Sequence, residues 1–427
     1  MKRTLLVVSL CLVAGFSFAQ KKAVKEAKAA MKSNVAEARE LIKPALTDAE
    51  TMNDPDAWKL AGDIEYKAFD DERSKEQLKE VTGKGGDEEA MYVGLFNMYD
   101  PYIKADELGQ VPDEKGKVKN KVRKDIIRTL KDAHPFYING GVYYNDKKDF
   151  AKAADFFERY WELPGLEIFK EDPSGFNTSD SIFQTIKYYA IISAIQAQDH
   201  PRSIRLLKKI NAEPYVANST YKESDTYELL ASEYQTVGDS IAFVAILREG
   251  AQKFPTNQYF TPNLINEFIK AGKTNEAMDY LDQAIANAPT TSCDLYSVKA
   301  SLYAEKKDYV KAGEVYDAAI KADPNCERAL EGLGVLYVLQ AQDLKEKAGQ
   351  TTNRKEQSEL DKQTADMYQK ALPYLEKYRD ILKGKAEPDK LDIKQALMKL
   401  QNVYYNLSLL NVDKSKELDL IDKELAQ

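Results

Sequence analysis

The sequence predicts an all-α fold built from repeated helix hairpins. Apolar residues recur with helical spacing along almost the whole chain of 427 residues, and the strict alternation that is typical of strands is scarce. A second observation is a repeat of 34 to 35 residues, in which prolines, alanines and aromatic residues recur in phase. These residues are Pro255, Pro289 and Pro324; Ala277 and Ala312; Ala284 and Ala319; and Tyr234, Phe268, Tyr303 and Tyr337.

The segment 293–326 shows most clearly what the repeat does. It places small residues at Ala300, Ala312 and Ala319 and large residues at Tyr303 and Tyr316. Small residues let two helices approach closely, and large ones fill the gap to the next hairpin. A proline then ends the second helix. The pattern therefore serves packing, and no catalytic chemistry requires it.

This period and pattern resemble the tetratricopeptide repeat family, whose unit is a helix–turn–helix of about 34 residues. The resemblance is clearest over residues 224–338 and weaker over 30–223 and 367–427. It implies a right-handed superhelical solenoid whose first helices line a concave groove that binds proteins or peptides. The positions it assigns to repeat packing are Trp58, Gly62, Gly141, Ala153, Ala231, Tyr234, Pro255, Ala277, Pro289, Ala300, Tyr303, Ala312, Tyr316, Ala319, Pro324, Gly334 and Tyr337.

Two segments depart from the repeat and are predicted to be helical insertions, about residues 99–133 and 341–366. The first carries a basic run between Lys115 and Lys124, which fits an anionic partner or, as we favour, a solvated face. The second lengthens the helices around it, so that one hairpin should project beyond the solenoid. A connection rich in proline and glycine, residues 162–181, is a candidate hinge.

The start of the chain reads as a secretory signal peptide, residues 1–19. Lys2 and Arg3 precede an apolar core from Leu5 to Phe16, and Ser17-Phe18-Ala19 fits a cleavage site. We therefore expect a periplasmic mature protein, residues 20–427, that does not span a membrane. The formal net charge of the whole chain is −8, which argues against nucleic acid as a partner.

The cysteines and histidines argue against metal and cofactor sites. Cys293 and Cys326 lie 33 residues apart, a spacing that does not match zinc, and the chain has 2 histidines. In an oxidising compartment the two cysteines fit either a disulfide between adjacent hairpins or two unlinked thiols. We expect no metal and no cofactor.

Catalysis is not expected either. His134 precedes Pro135, and His200 lies in a turn between helices, with no nucleophile or acid marked out beside them. Carboxylates are abundant, but no pair stands out as an acid–base couple. We expect a protein that is not an enzyme.

The resemblance places a set of polar and aromatic residues on the concave face. Their character is neutral to acidic, which would suit a basic or aromatic segment of a partner. The lysine, asparagine and arginine clamp of chaperone-binding relatives is not matched, because Pro262 and Ser297 stand where a lysine would be and only Asn266 fits. The predicted groove residues are Asp225, Glu228, Ser232, Tyr259, Asn266, Asp294, Ser301, Glu305, Arg328 and Glu331.

The sequence thus favours a non-enzymatic periplasmic scaffold that binds envelope proteins or peptides, whose identity it does not specify. Two alternatives stay open. One is a carbohydrate-binding protein of the envelope or a carbohydrate enzyme built as a helical toroid. The other is a homo-oligomer that associates through the projecting hairpin.

Overall fold

The computed structural model describes residues 21–287 and 293–426. Every regular element in these ranges is a helix, so the all-α prediction is confirmed. The predicted signal peptide and Pro289 lie outside the described residues. The chain divides into two compact units, Met1–Gly238 and Asp239–Gln427.

The first unit is a succession of helices, most of them joined by a few residues, with longer connections after α6, α9 and α11. Its elements are α1 (21–30), α2 (Val35–Thr47), α3 (Pro55–Gln77), α4 (Lys79–Thr82), α5 (Glu88–Asn97), α6 (Tyr99–Gly109), α7 (Arg123–Ala133), α8 (Phe136–Asp146), α9 (Phe150–Glu162), α10 (Ser181–Gln196), α11 (His200–Ala212) and α12 (Glu223–Thr236).

The second unit is also a succession of helices. Its elements are α13 (Ser240–Lys253), α14 (Phe260–Lys270), α15 (Thr274–Asn287), α16 (Cys293–Glu305), α17 (Tyr309–Ala322), α18 (Glu327–Gln350), α19 (Arg354–Lys383), α20 (Lys390–Leu409) and α21 (Ser415–Leu425).

One turn recurs between the two helices of a hairpin. The second residue after the first helix adopts a left-handed conformation, with φ of 60° at Lys148, 58° at Gln198 and 57° at Lys307. The next residue is an aspartate whose carboxylate accepts a hydrogen bond from the backbone N–H three residues on, as Asp149 does from Lys152. The left-handed residue ends one helix and the aspartate starts the next, so the turn sets the hairpin.

Small residues lie at several close contacts between helices. A Cβ atom added to Gly141 of α8 would lie 2.3 Å from the Phe157 ring of α9, and one added to Gly334 of α18 would lie 2.6 Å from Leu375 of α19. The six alanines assigned to repeat packing are fully buried: Ala153, Ala231, Ala277, Ala300, Ala312 and Ala319. Ala284, which shares the period, is half-buried.

Other packing positions fill the core less completely. Tyr316 is buried, whereas Tyr234, Tyr303 and Tyr337 are half-buried and Pro255 and Pro324 are exposed at helix ends. Near the N-terminus, Trp58 is half-buried and its indole N–H donates to the Met52 carbonyl over 2.7 Å. Its neighbour Ala57 takes the fully buried position, and Gly62 packs directly against the Tyr102 ring.

The two insertions have different structures. Residues 99–133 form α6, a loop and α7. The single arginine of the basic run is structural, because Arg123 pairs with the buried carboxylate of Asp106 over 2.9 Å. The second insertion lengthens one hairpin: α18 has 24 residues and α19 has 30, against 13 and 14 in α16 and α17.

The connection that follows α9 is packed onto its neighbours. Ile168 and Phe169 are buried, and Lys131 of α7 forms an ion pair with Asp172 over 2.8 Å. Phe176 meets the His134 ring edge-on, with ring centroids 4.9 Å apart. These contacts hold the candidate hinge against α7.

Candidate functional site

The predicted groove residues of the first unit serve partly as local structure. Asp225 accepts a hydrogen bond from the backbone N–H of Lys222 over 2.9 Å and so caps α12. Its carboxylate is thus used within the helix end. Glu228 is half-buried on the same helix, and Ser232 is exposed.

Four predicted groove residues of the second unit are bonded to neighbouring side chains. Arg328 forms an ion pair with Asp294 over 3.3 Å, and Glu331 forms one with Lys399 over 3.0 Å. The Ser301 hydroxyl lies 3.0 Å from the Tyr316 hydroxyl.

The remaining three predicted residues of the second unit lie on or near its surface. Asn266 and Glu305 are exposed, and Tyr259 is half-buried against Phe260. None of the predicted groove residues lines the apolar groove between α18 and α20. Glu331 is connected to that groove by its ion pair with Lys399, which does line it.

An apolar groove of the second unit runs between α18 and α20, with Leu375 of α19 as its buried floor. We call it the α18–α20 groove. It has a volume of about 470 Å³. Leu339 and Met398 stand at its opening, 39% and 53% exposed. Its lining residues are Val335, Val338, Leu339, Gln342, Leu375, Gln395, Met398, Lys399 and Asn402.

Helix α20 carries a second apolar face that continues the groove. One face packs inward through Leu397, Leu400, Val403 and Leu407, all buried. On the other side, four large apolar residues are each between 53% and 62% exposed. We call these the α20 stripe: Leu391, Met398, Tyr405 and Leu409.

The sequence carries a signal for this stripe that is separate from the repeat period. A helix of a globular protein usually has one apolar face, so apolar residues on two faces indicate either burial all round or a second contact surface. In the sequence alone, these extra apolar residues are interpreted as core positions of a helix pair that follows the repeat pattern only loosely.

The first unit has a smaller groove between α8 and α10. Its volume is about 160 Å³, and Val142 and Tyr189 in its lining are 44% and 42% exposed. Gln196 and Asn145 add amide groups to a mainly apolar lining. This groove resembles the larger one in character but offers far less surface.

The histidines sit in arrangements that stabilise the fold. His200 Nδ1 lies 3.0 Å from the Glu233 carboxylate, and the Ser203 hydroxyl donates to the same carboxylate. A serine nucleophile needs the imidazole as its base and access to substrate, whereas Ser203 is fully buried and bonded to the carboxylate.

His134 is also structural. It stacks on Tyr160 with ring centroids 4.0 Å apart, and its Nε2 lies 2.9 Å from the Tyr160 carbonyl oxygen. Burial lowers the pKa of His134 to about 4, so the ring is neutral near pH 7.

The residues that the structure describes contain neither a cluster of metal ligands nor a membrane-spanning helix. No group of three or more His, Cys, Asp or Glu side chains is arranged there to hold a metal ion. None of the described helices combines the length and apolar character needed to cross a bilayer.

Cys293 and Cys326 form a disulfide in the structure. It joins Cys293, the first residue of α16, to Cys326, the residue before α18, with 5.8 Å between their Cα atoms. Cys326 is buried in a cluster with Ala300 and Leu333, while Cys293 lies at the edge of that cluster.

Similar solved structures are proteins of tetratricopeptide repeats and MamA. The C-terminal part of a TPR repeat-containing protein from Cytophaga hutchinsonii is 15% identical with a TM-score of 0.35, and the match covers 65% of this chain and 97% of that one. A TPR repeats protein from Bacteroides fragilis is 17% identical with a TM-score of 0.32, over 63% and 98%. MamA is 22% identical with a TM-score of 0.29, over 44% and 95%. No protein-family model matches the chain, and no curated protein matches its sequence.

Proposed function

We propose that this chain is a non-enzymatic scaffold of the periplasm that binds partner proteins through exposed faces of its helix hairpins. The observation that carries the proposal is the α18–α20 groove with the adjoining α20 stripe. A water-soluble chain rarely leaves a row of large apolar side chains uncovered, and such patches mark contact surfaces.

The chemistry of the groove favours a protein over an envelope polymer. Its lining contains apolar side chains, amides and one lysine, and no carboxylate. A carbohydrate enzyme of the toroid type would need a pair of carboxylates facing its cleft. Apolar anchors with a few polar groups at the rim are typical of protein contacts.

Export is supported by two independent features. Residues 1–19 have the charged, apolar and small-residue order of a signal peptide. The Cys293–Cys326 disulfide suits an oxidising compartment, since cytosolic thiols are kept reduced. A mature protein that starts at Gln20 and resists alkylation until it is reduced is the expected result of mass spectrometry on the periplasmic fraction. A full-length chain in the cytoplasm with both cysteines alkylated would contradict export.

The scaffold is tested by photo-crosslinking in cells. A photoreactive residue at Gln395, which lines the groove, should capture an envelope protein. Met398→Glu should abolish that crosslink, because it places a charge among apolar side chains. Leu420→Glu is the matched control, since Leu420 is 61% exposed on α21 and does not line the groove. A crosslink that survives Met398→Glu, or none from any groove position, would overturn the proposal.

A further inference from the structure

We infer that the α18–α20 groove and the α20 stripe together dock an amphipathic α-helix of a partner protein, one that carries carboxylates beside its apolar face. This inference rests on the proposed function and specifies the shape and charge of the partner. Three observations carry it: the spacing of the stripe, the form of the groove, and the charges that flank them.

The spacing of the stripe matches a second helix. Leu391, Met398 and Tyr405 are separated by seven residues each, and Leu409 completes the row. With 3.6 residues per turn these positions fall within about 40° of one another along roughly 27 Å of helix. Two helices that pack along a seam repeat their contacts every seven residues, about 10.5 Å, whereas an extended strand repeats about every 7 Å.

The groove has the form that receives a helix. Leu339 of α18 and Met398 of α20 stand on opposite sides, and the buried Leu375 of α19 closes the floor between them. A third helix can place a ridge of side chains into such a channel. A bilayer surface is too flat to reach Leu375, so the groove favours a helix over a membrane.

The charges beside the seam are mainly positive. Lys394 and Lys399 lie about 60° and 80° from Leu391 on opposite flanks of α20, and Asp392 lies further round on the second flank. Lys399 is neutralised by Glu331, with Nζ and Oε1 3.0 Å apart. Lys345 of α18 donates to the Asn406 side-chain oxygen over 2.9 Å.

Two of these ammonium groups lack a carboxylate partner. Within the described ranges, neither Lys345 nor Lys394 has a carboxylate within the 4.0 Å of an ion pair. The chain as a whole is acidic, with a net charge of −8. Carboxylates on the flanks of a docked helix would meet both lysines, as charges beside an apolar seam do in paired helices.

The test uses synthetic peptides and the full mature chain, residues 20–427. The first peptide has three heptads with leucine at the two seam positions and glutamate at the flanking positions, roughly 21 residues in all. The second replaces each glutamate by lysine, and the third is the acidic peptide with a central proline, which breaks the helix. By fluorescence anisotropy, we expect the acidic helix to bind about tenfold or more tightly than either of the others.

Two variants locate the binding site. Met398→Glu should weaken binding of the acidic peptide by about tenfold or more, since it removes a central apolar anchor and adds repulsion. Lys394→Glu should reduce the preference for the acidic over the basic peptide. Leu420→Glu should leave binding unchanged. It adds the same charge as Met398→Glu and removes an exposed apolar side chain, but it does so on α21, outside the lining of the groove.

Each other outcome overturns the inference in a recognisable way. Equal binding of the proline peptide excludes a helical partner, and binding that survives Met398→Glu excludes the groove. Sedimentation with phosphatidylglycerol vesicles, or a dimer in light scattering, would assign the face to a membrane or a second copy if Met398→Glu abolished it. If the crosslink in cells is lost in Met398→Glu but no peptide binds, the proposed scaffold stands and the inference of an acidic helical partner is overturned.

Discussion

Cys293 is bonded to Cys326 across 33 residues, with their Cα atoms 5.8 Å apart. The bond links the first residue of α16 to the residue that precedes α18, so it joins equivalent ends of successive first helices. Because α16 and α18 also pack against each other, the disulfide reinforces a contact already made by buried side chains. It therefore fixes the stacking of two hairpins within the second unit.

Reduction of this disulfide should loosen the region that it encloses. Closing a loop of this length stabilises the folded state by about 3–4 kcal/mol through the lost freedom of the unfolded chain. Amides of α16 and α17 that exchange through unfolding of this region should then exchange roughly 10²–10³-fold faster after reduction. Hydrogen exchange with and without reductant measures this, with α8 as internal reference. Cys293→Ser should behave like the reduced protein, and unchanged exchange in both would contradict the prediction.

The repeated turn predicts a stabilising substitution. Lys307 adopts φ of 57°, a left-handed conformation that costs a residue with a Cβ atom about 1–2 kcal/mol. Lys307→Gly removes that strain but frees the unfolded chain, so we expect a net gain of about 0.5–1 kcal/mol in the free energy of unfolding. Urea unfolding measures it.

The reverse substitution provides the control at the equivalent position of another turn, between α12 and α13. Gly238 has φ of 76° and open space around its missing Cβ atom, so Gly238→Ala should cost about 1–2 kcal/mol from backbone strain alone. Gly165 also has open space but no left-handed φ, so Gly165→Ala should cost little. If Gly238→Ala and Gly165→Ala have equal effects, left-handed strain does not explain the turn.

The hairpins could be predicted from the sequence because their packing leaves a periodic record. Ala300, Ala312 and Ala319 stand out by size and spacing, and the structure buries all three completely. The same holds for the aspartate at the start of the second helix, such as Asp308, since capping demands a short polar side chain there. Both features are local and need no knowledge of the neighbours.

The proposed docking surface could not be predicted in the same way. Met398 and Leu400 are both apolar residues of one helix, and only the packing of α19 and α21 determines that Leu400 is buried and Met398 exposed. Asp225 lies at a position that the repeat assigns to the groove, yet its carboxylate caps its own helix. Exposure and pairing depend on neighbouring elements, which the repeat period does not encode.

Close contacts between helices predict opposite effects for two glycines of the second unit. A Cβ atom on Gly250 would lie 2.2 Å from the fully buried ring of Phe260, whereas one on Gly313 would lie 3.8 Å from Leu336. Gly250→Ala should destabilise by about 1–3 kcal/mol because the ring cannot move away. Gly313→Ala should stabilise by up to about 1 kcal/mol through helix propensity. Thermal unfolding of both variants measures this, and a shift in the same direction would contradict it.

The buried histidine predicts that the first unit loses stability in mild acid. Burial lowers the pKa of His134 from 6.5 to about 4, so between these values the unfolded chain binds a proton that the folded chain does not. The contribution of His134 to the free energy of unfolding is therefore present above pH 6.5 and is lost as the pH falls toward 4. The loss between pH 7 and pH 5 should be about 2 kcal/mol.

A single substitution separates this effect from the titration of other groups. The rings that face His134 belong to Tyr160 and Phe176, which carry no charge in this pH range. His134→Gln keeps an N–H donor toward the Tyr160 carbonyl but does not titrate, so its unfolding free energy should fall less between pH 7 and pH 5. Urea unfolding of both proteins at the two pH values gives the difference, in which shared contributions such as that of Asp106 cancel. If the two proteins lose equal stability, His134 does not account for the acid sensitivity.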